Sequence, residues 1–120
     1  ALYGALPDQL RDPDSFASRL RHLLDLRRRY RIYESRQIAV PAVQAPGLLV
    51  MVHALPDGLG TEVTALNFGA DAVDEVVRLE GIAPGSLQEL LAGEMLGAFD
   101  ASGDLRIQLA PRQGRAYLIQ

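Results

Sequence analysis

The spacing of apolar residues switches near residue 47, and that switch limits the fold more than any other feature of the chain. Residues 14–30 follow a helical period. At about 100° per residue, Phe16, Leu20, Leu23 and Tyr30 fall on one face, with Ala17, Leu24 and Leu26 at its edges. Asp14 or Ser15 can cap the start, and Pro13 blocks extension backwards. Asp25 and Arg29 stand at i, i+4 in the favourable order. The pattern predicts one amphipathic helix of about four to five turns. Arg27 falls inside the apolar stripe, where two readings stand. Its guanidinium reaches water along its stem, or it meets a carboxylate on whatever the helix packs against.

From Leu48 the pattern becomes that of strands. Leu48-Leu-Val-Met-Val-His-Ala-Leu55 and Thr61-Glu-Val-Thr-Ala-Leu-Asn-Phe68 flank the hairpin-type turn Pro56-Asp-Gly-Leu-Gly60. A third strand is expected over Val73 to Leu79, after the turn Gly69-Ala-Asp71. Leu105 to Leu109 and Arg115 to Ile119 alternate cleanly around Pro111-Arg-Gln-Gly114, and Asp100-Ala-Ser-Gly103 supplies the turn before them. Short strands at this spacing predict a mainly β fold, an antiparallel β-sandwich preceded by the helix. Two stretches remain outside the pattern. Residues 1–13, with Gly4, Pro7 and Pro13, read as an irregular lead-in. Residues 37–47, with Pro41 and Pro46, read as a linker in which Ile38 and Val40 can form a short edge strand. Ser86-Leu-Gln-Glu89 has the spelling of a helical capping box, with Leu87, Leu90, Leu91 and Met95 as its stripe. The same residues also suit a strand from Leu87 to Leu91 that ends at the turn Ala92-Gly-Glu94.

The 120 residues contain no cysteine, which excludes a disulfide framework, a thiol nucleophile and thiolate metal sites. All twelve basic residues are arginine. Residues 1–36 hold eight of them against five acids, a balance of +3, whereas the rest holds four against ten, or −6. The run Arg27-Arg28-Arg29 with Arg31 is better read as a solvated helix end than as a nucleic-acid patch, because Asp25 and Glu34 flank it and cations favour a helix C-terminus. The net charge of −3 gives no reason to expect nucleic acid. The longest apolar run, Leu48 to Val52, is too short for a bilayer. No basic segment followed by an apolar one opens the chain, so neither a membrane span nor a signal peptide is expected, and the cytoplasm is the expected location.

Chemical motifs are sparse. His22 and His53 share no metal-ligand spacing, and no G-x-S-x-G, P-loop or dinucleotide fingerprint occurs. Ser15, Ser18, His22 and Asp25 contain the residue types of a hydrolytic triad, but on an exposed helix surface without oxyanion donors they are expected to do no chemistry. The acid groups Asp71, Asp74 and Glu75, and Asp100 with Asp104, lie in or beside turns, where acids shape turns and solvate strand edges. The absence of tryptophan and the seven aromatics in total argue against an independent carbohydrate-binding module. No catalytic, cofactor-binding or metal-ligating residue is therefore expected, and no cofactor.

The order of these features resembles the C-terminal part of the α-amylase superfamily of glycoside hydrolases. Asp14-Ser-Phe-Ala-Ser-Arg-Leu-Arg-His-Leu-Leu-Asp-Leu-Arg-Arg-Arg-Tyr30 is similar to the last helix of that family's catalytic barrel, with Leu26-Arg-Arg28 matching its closing element. Leu48 to His53, Val63-Thr-Ala-Leu-Asn67-Phe68-Gly69, Leu87-Gln-Glu-Leu-Leu-Ala-Gly93-Glu94, and Leu105 to Pro111 with Arg115 to Ile119 resemble successive elements of its Greek-key C-terminal sandwich, domain C. The resemblance implies strand for Leu87 to Leu91. It also implies residues 1–36 as lead-in and last barrel helix, 37–47 as linker and 48–120 as the sandwich. Val63, Leu66 and Phe68 are expected in the core, with Asn67 bonded to backbone at the strand's end. The opening Ala1-Leu-Tyr-Gly-Ala-Leu-Pro-Asp-Gln-Leu10 with Ser15-Phe-Ala17 looks closest to the trehalose synthase and maltose glucosyltransferase branch. The family's aspartate nucleophile, glutamate acid/base and second aspartate lie on barrel strands, and no position here matches them. The resemblance thus implies a non-catalytic domain whose partner is the (β/α)8 barrel of a parent chain. Alone, the helix stripe is expected to pair two copies as a homodimer through residues 16–30.

Overall fold

The computed structural model describes residues 4–120, so Ala1 to Tyr3, the start of the opening motif, lie outside the described residues. The chain divides into two compact units, residues 1–33 and residues 34–120.

In the first unit, a short helix α1 (Leu6–Arg11) occupies part of the expected irregular lead-in. Pro7 in its first turn supplies a preset φ where no N–H is needed, and Arg11 pairs with Asp8 one turn back at 3.4 Å. The expected amphipathic helix is α2 (Phe16–Arg29). Ser15 is its N-cap, accepting the N–H of Ser18 at 3.2 Å. The hydroxyls of Ser15 and Ser18 both donate to the Gln9 carbonyl at the end of α1, tying the two helices together. Arg27, Arg28 and Arg29 fill the last turn, where their charge complements the helix dipole. No residue of α1 or α2 is buried, whereas Tyr30, just past the helix, is. Arg27 is exposed, and its guanidinium carbon lies 5.2 Å from the centroid of the Tyr33 ring, a cation–π distance.

The second unit is an antiparallel sandwich. Its large sheet has six strands in the order β1 (Arg36–Ala39), β2 (Leu48–Ala54), β3 (Thr61–Asn67), β8 (Gly114–Ile119), β5 (Gly85–Glu89) and β6 (Glu94–Phe99). The small sheet pairs β4 (Val73–Arg78) with β7 (Asp104–Leu109). The chain crosses between layers after β3, β4, β6 and β7, which gives the Greek-key connections. Alternation sets the inner face: Leu48, Val50 and Val52 from β2, Val63 and Ala65 from β3, and Tyr117 and Ile119 from β8. Val73 and Val77 from β4 and Leu105, Ile107 and Leu109 from β7 face them, and Leu87 and Phe99 complete the core.

Three details differ from the sequence reading. The segment 85–89 is a strand, as the family pattern implied, but the chain turns at Leu90. The Glu89 carboxylate accepts the N–H groups of Leu91 at 3.0 Å and Ala92 at 2.7 Å, satisfying the donors that a helix would have used. The strand β6 follows directly and was not expected. It is an edge strand exposed over Glu94 to Ala98, with Gly97 at φ +101° opposite Leu87 and the bulge falling in the next step, so it lacks the two-residue alternation that reveals a strand. Phe68 is 68 % exposed and not in the core, and Leu66 is only half-buried. The parity of β3 explains both: Val63, Ala65 and Asn67 point inward, so Leu66 and Phe68 cannot. Asn67 does hold the strand's end. Its amide donates to the carbonyls of Asp71 at 2.8 Å and Ala110 at 3.1 Å, and its oxygen accepts the N–H of Gly69 at 2.9 Å.

Residues 41–47 are held against the sandwich. Glu75 accepts the N–H groups of Gln44 and Ala45, both at 2.9 Å, and Val43 and Ala45 pack on the core. Gly47 passes so close to Gly69 that a Cβ would lie 2.7 Å from the Gly69 nitrogen, which requires glycine there.

Candidate functional site

Three of the acids singled out from the sequence, Asp74, Glu75 and Asp100, are engaged in local structure. Asp74 receives two bonds from Arg106 of the neighbouring strand, Nε to Oδ1 at 2.9 Å and Nη2 to Oδ2 at 2.7 Å, and this pairing holds its carboxyl below the usual range. Asp100 caps its turn by accepting the N–H and the hydroxyl of Ser102, which also lowers its pKa. Glu75 anchors residues 44 and 45 as described. His22 lies on α2 and His53 on β2, in different units. Among the described residues no group of three or more histidines and acids is placed to hold a metal ion. Among the described residues no helix is long and apolar enough to cross a membrane.

Two arrangements were missed by sequence reasoning. On the outer face of the large sheet, Glu62 is buried opposite His53, whose Nδ1 lies 3.2 Å from Glu62 Oε2 at ion-pair distance but off the line of a hydrogen bond. Thr64 donates to the other carboxylate oxygen at 2.7 Å. Burial pushes the Glu62 carboxyl up, and Thr64 and His53 pull it partly back. Strand register could have found this pair: a seven-residue hairpin ladder closing at residues 54 and 61 sets position 53 opposite 62.

The second arrangement is a cleft of about 330 Å³ along the open flank of the sandwich. The small sheet is only two strands wide, so the inner faces of β5 and β6 continue past the unpaired edge of β7. Leu87, Leu96, Ala98 and Leu105 form apolar walls, and Arg115 and Tyr117 of β8 lie alongside. Tyr117 is 1 % exposed, and its hydroxyl is buried near the Arg115 side chain with no well-aligned hydrogen bond among the described residues. Burial raises its pKa and the negative charge of Glu89 adds to this, while the neighbouring Arg115 works in the opposite direction. The inward parity of residues 115, 117 and 119 was visible in the sequence. The width of the facing sheet, which leaves the cleft open, was not.

No family model and no curated protein sequence matches the chain. Solved structures do. An α-amylase from Anoxybacillus superposes with a TM-score of 0.67 at 18 % identity over 86 % of this chain and 22 % of its own. The fold is an amylase-type β-sandwich. An AmyP variant in complex with maltotriose gives 0.53 at 23 % identity over 72 % of this chain and 16 % of its own. The α-galactosidase I of Mortierella vinacea gives 0.55 at 15 % identity over 72 % and 23 %. The chain thus spans about a fifth of the length of these glycoside hydrolases. At such identities the likeness carries the amylase-type sandwich and none of the chemistry.

Proposed function

We propose that the chain is the non-catalytic C-terminal domain of a trehalose synthase-like enzyme, with a structural and assembly role. In this reading the parent converts maltose to trehalose by retaining, intramolecular transglucosylation, carried out by carboxylates on an upstream barrel. The observation that carries the reading is the coincidence of an amylase-type sandwich with a preceding helix that leaves Leu20, Leu23 and Leu24 between 45 % and 49 % exposed. A 14-residue helix is marginal without a packed face, so a stripe of this kind calls for a partner surface, and a catalytic barrel supplies one. The resemblance of residues 1–10 and 15–17 supports the trehalose synthase branch over a plain amylase.

The test is to express the coding sequence that includes whatever precedes Ala1 and to follow maltose by proton NMR, beside the 120-residue chain alone. Trehalose from the longer protein and none from the chain is the expected result. Glucose release without trehalose would favour a hydrolase of the same superfamily. Turnover by the chain alone would overturn the non-catalytic assignment.

A further inference from the structure

Two features of the sandwich meet at its first strand. The strand β1 is an edge of the large sheet, and all four of its residues are exposed. Its backbone is paired with β2 on one side only, so the other side presents N–H and C=O groups with no strand beside them. At the C-terminal end of β1 lies a cavity of about 350 Å³, with Ala39, Ala42, Val52 and Ile82 among its apolar walls and Arg78 and Glu80 beside them. A free edge alone offers main-chain hydrogen bonds to any extended chain. An edge with a pocket at one position also chooses a side chain. The bulge in β1 adds a second selective group. Arg36 lies opposite Ala54 and Ala39 opposite Val52, residues two apart on β2, so the extra residue between Gln37 and Ala39 brings Arg36 onto the same face as Ala39 and Val52. In a regular strand, residues three apart would face opposite ways. Neither Arg36 nor Arg78 forms an ion pair among the described residues, so two guanidiniums stand near the cavity against the single carboxylate of Glu80.

We propose that the free edge of β1 takes up an extended peptide segment as an added antiparallel strand, with a bulky apolar side chain in the cavity and a carboxylate two residues further on at Arg36. The antiparallel sense is the more stable pairing. It fixes the order of the two groups, because β1 runs from Arg36 to Ala39 and the partner therefore meets Ala39 first. Parity gives the spacing. Residues of a regular strand share a face only when an even number apart, and the neighbours of Arg36 and Ala39 on β2 are two apart. Main-chain hydrogen bonds hold such a segment, and the two side chains select it. Pro41, with no N–H to offer, ends the pairing beyond Ala39. Every group in the site belongs to residues 36–82, so it stands whether or not the parent enzyme is a trehalose synthase.

The experiment is a ¹⁵N–¹H correlation titration of the whole chain with the peptide acetyl-Thr-Leu-Thr-Asp-Thr-amide. Amides of residues 36–42 and 78–82 are expected to shift in the millimolar range. Alanine in place of the peptide leucine, or methylation of the peptide's backbone nitrogens, should abolish the shifts. Asparagine in place of its aspartate should weaken binding by about two- to fivefold, the scale of an exposed ion pair. On the protein, Ala42→Trp should fill the cavity and block the peptide, and Arg36→Glu should make a lysine peptide bind more tightly than the aspartate one. Both positions are exposed, so the remaining amides should keep their places in both variants. Shifts that are absent, that persist with the alanine or methylated peptide, or that survive Ala42→Trp would overturn the proposal, as would an Arg36→Glu variant that still prefers aspartate.

Discussion

Helix α2 is rich in leucine and the strands of the sandwich in leucine and valine, yet their apolar residues meet different fates. Along β2, β3, β7 and β8 nearly every inward position is sealed, and Val50, Val63, Ala65 and Ile107 reach zero exposure. Along α2 no residue is buried. The difference lies in how each element finds a partner surface. A sandwich supplies its own, because two sheets cover each other's inner faces and the chain that makes one makes the other. A lone helix has a stripe and nothing of equal shape within its unit, since α1 is only six residues long. The sealed apolar core of this chain therefore belongs to the second unit, and the first leaves its leucine stripe exposed.

Breaking that contrast begins in the core. Phe99→Ala, at a position 1 % exposed, should cost about 3–5 kcal/mol in denaturant unfolding. Phe68→Ala, which removes the same ring from an exposed site, should cost under about 0.5 kcal/mol. Equal losses would mean that exposure does not separate the two rings. Next in size is Asn67→Ala. It removes three hydrogen bonds that close the end of β3 onto the turns at Gly69 and Ala110, and it should cost about 1–3 kcal/mol with the sheet otherwise intact.

These pairs also mark where the sequence was legible. Apolar or β-branched runs between turn residues revealed β2, β3 and β4, and clean alternation revealed β7 and β8, because burial on one face leaves a two-residue imprint. The strand β6 left none. It lies at an edge with most of its length in water, and Gly97 interrupts its parity. The helix α1 is too short for a periodic signal. The motif Val63 to Gly69 suggests a core place for Phe68 as part of one unit, whereas the parity of Val63, Ala65 and Asn67 turns Phe68 outward. The Glu62–His53 contact and the Tyr117 cleft depend on register and on sheet width, which are properties of pairing between distant segments.

A smaller effect concerns Glu62, the buried acid on the outer face of the large sheet. Burial raises its folded-state pKa, so the folded chain binds this proton more tightly than the unfolded chain does. The associated stability is full below the ordinary glutamate value of about 4.3 and is lost as the pH rises through the raised folded-state value. Glu62→Gln stays neutral at every pH. The variant should be more stable than the parent at neutral pH, and the gap should close as the pH falls toward the ordinary glutamate range. Chemical denaturation across that interval reads the difference directly. A gap that widens on acidification would show that the ion pair with His53 outweighs burial.

The smallest expected effect on unfolding, and the sharpest test of the contrast, lies on α2. Leu20→Glu and Leu23→Glu change residues that are 45 % and 49 % exposed, so each should shift the unfolding of the sandwich by under about 0.5 kcal/mol. Their effect should appear instead in association. A fully buried leucine is worth about 1.5–3 kcal/mol, and half of that surface is still in water at each position. Two helices packed antiparallel about a two-fold axis would cover Leu20, Leu23 and Leu24 of both copies, with the arginines of the last turn kept outside the seam. The isolated chain is therefore expected to dimerise through residues 16–30 as its concentration rises in sedimentation velocity runs, and the double glutamate variant to remain monomeric with its sandwich intact. If a barrel precedes the helix as proposed, the same two changes should instead loosen that contact and lower the thermal midpoint of the longer protein. A parent chain that is monomeric at high micromolar concentration, with its helix signal unchanged, would mean that half-exposed leucines in this stripe are tolerated in water. The helix would then owe its order to Ser15, Ser18 and the α1 contact alone.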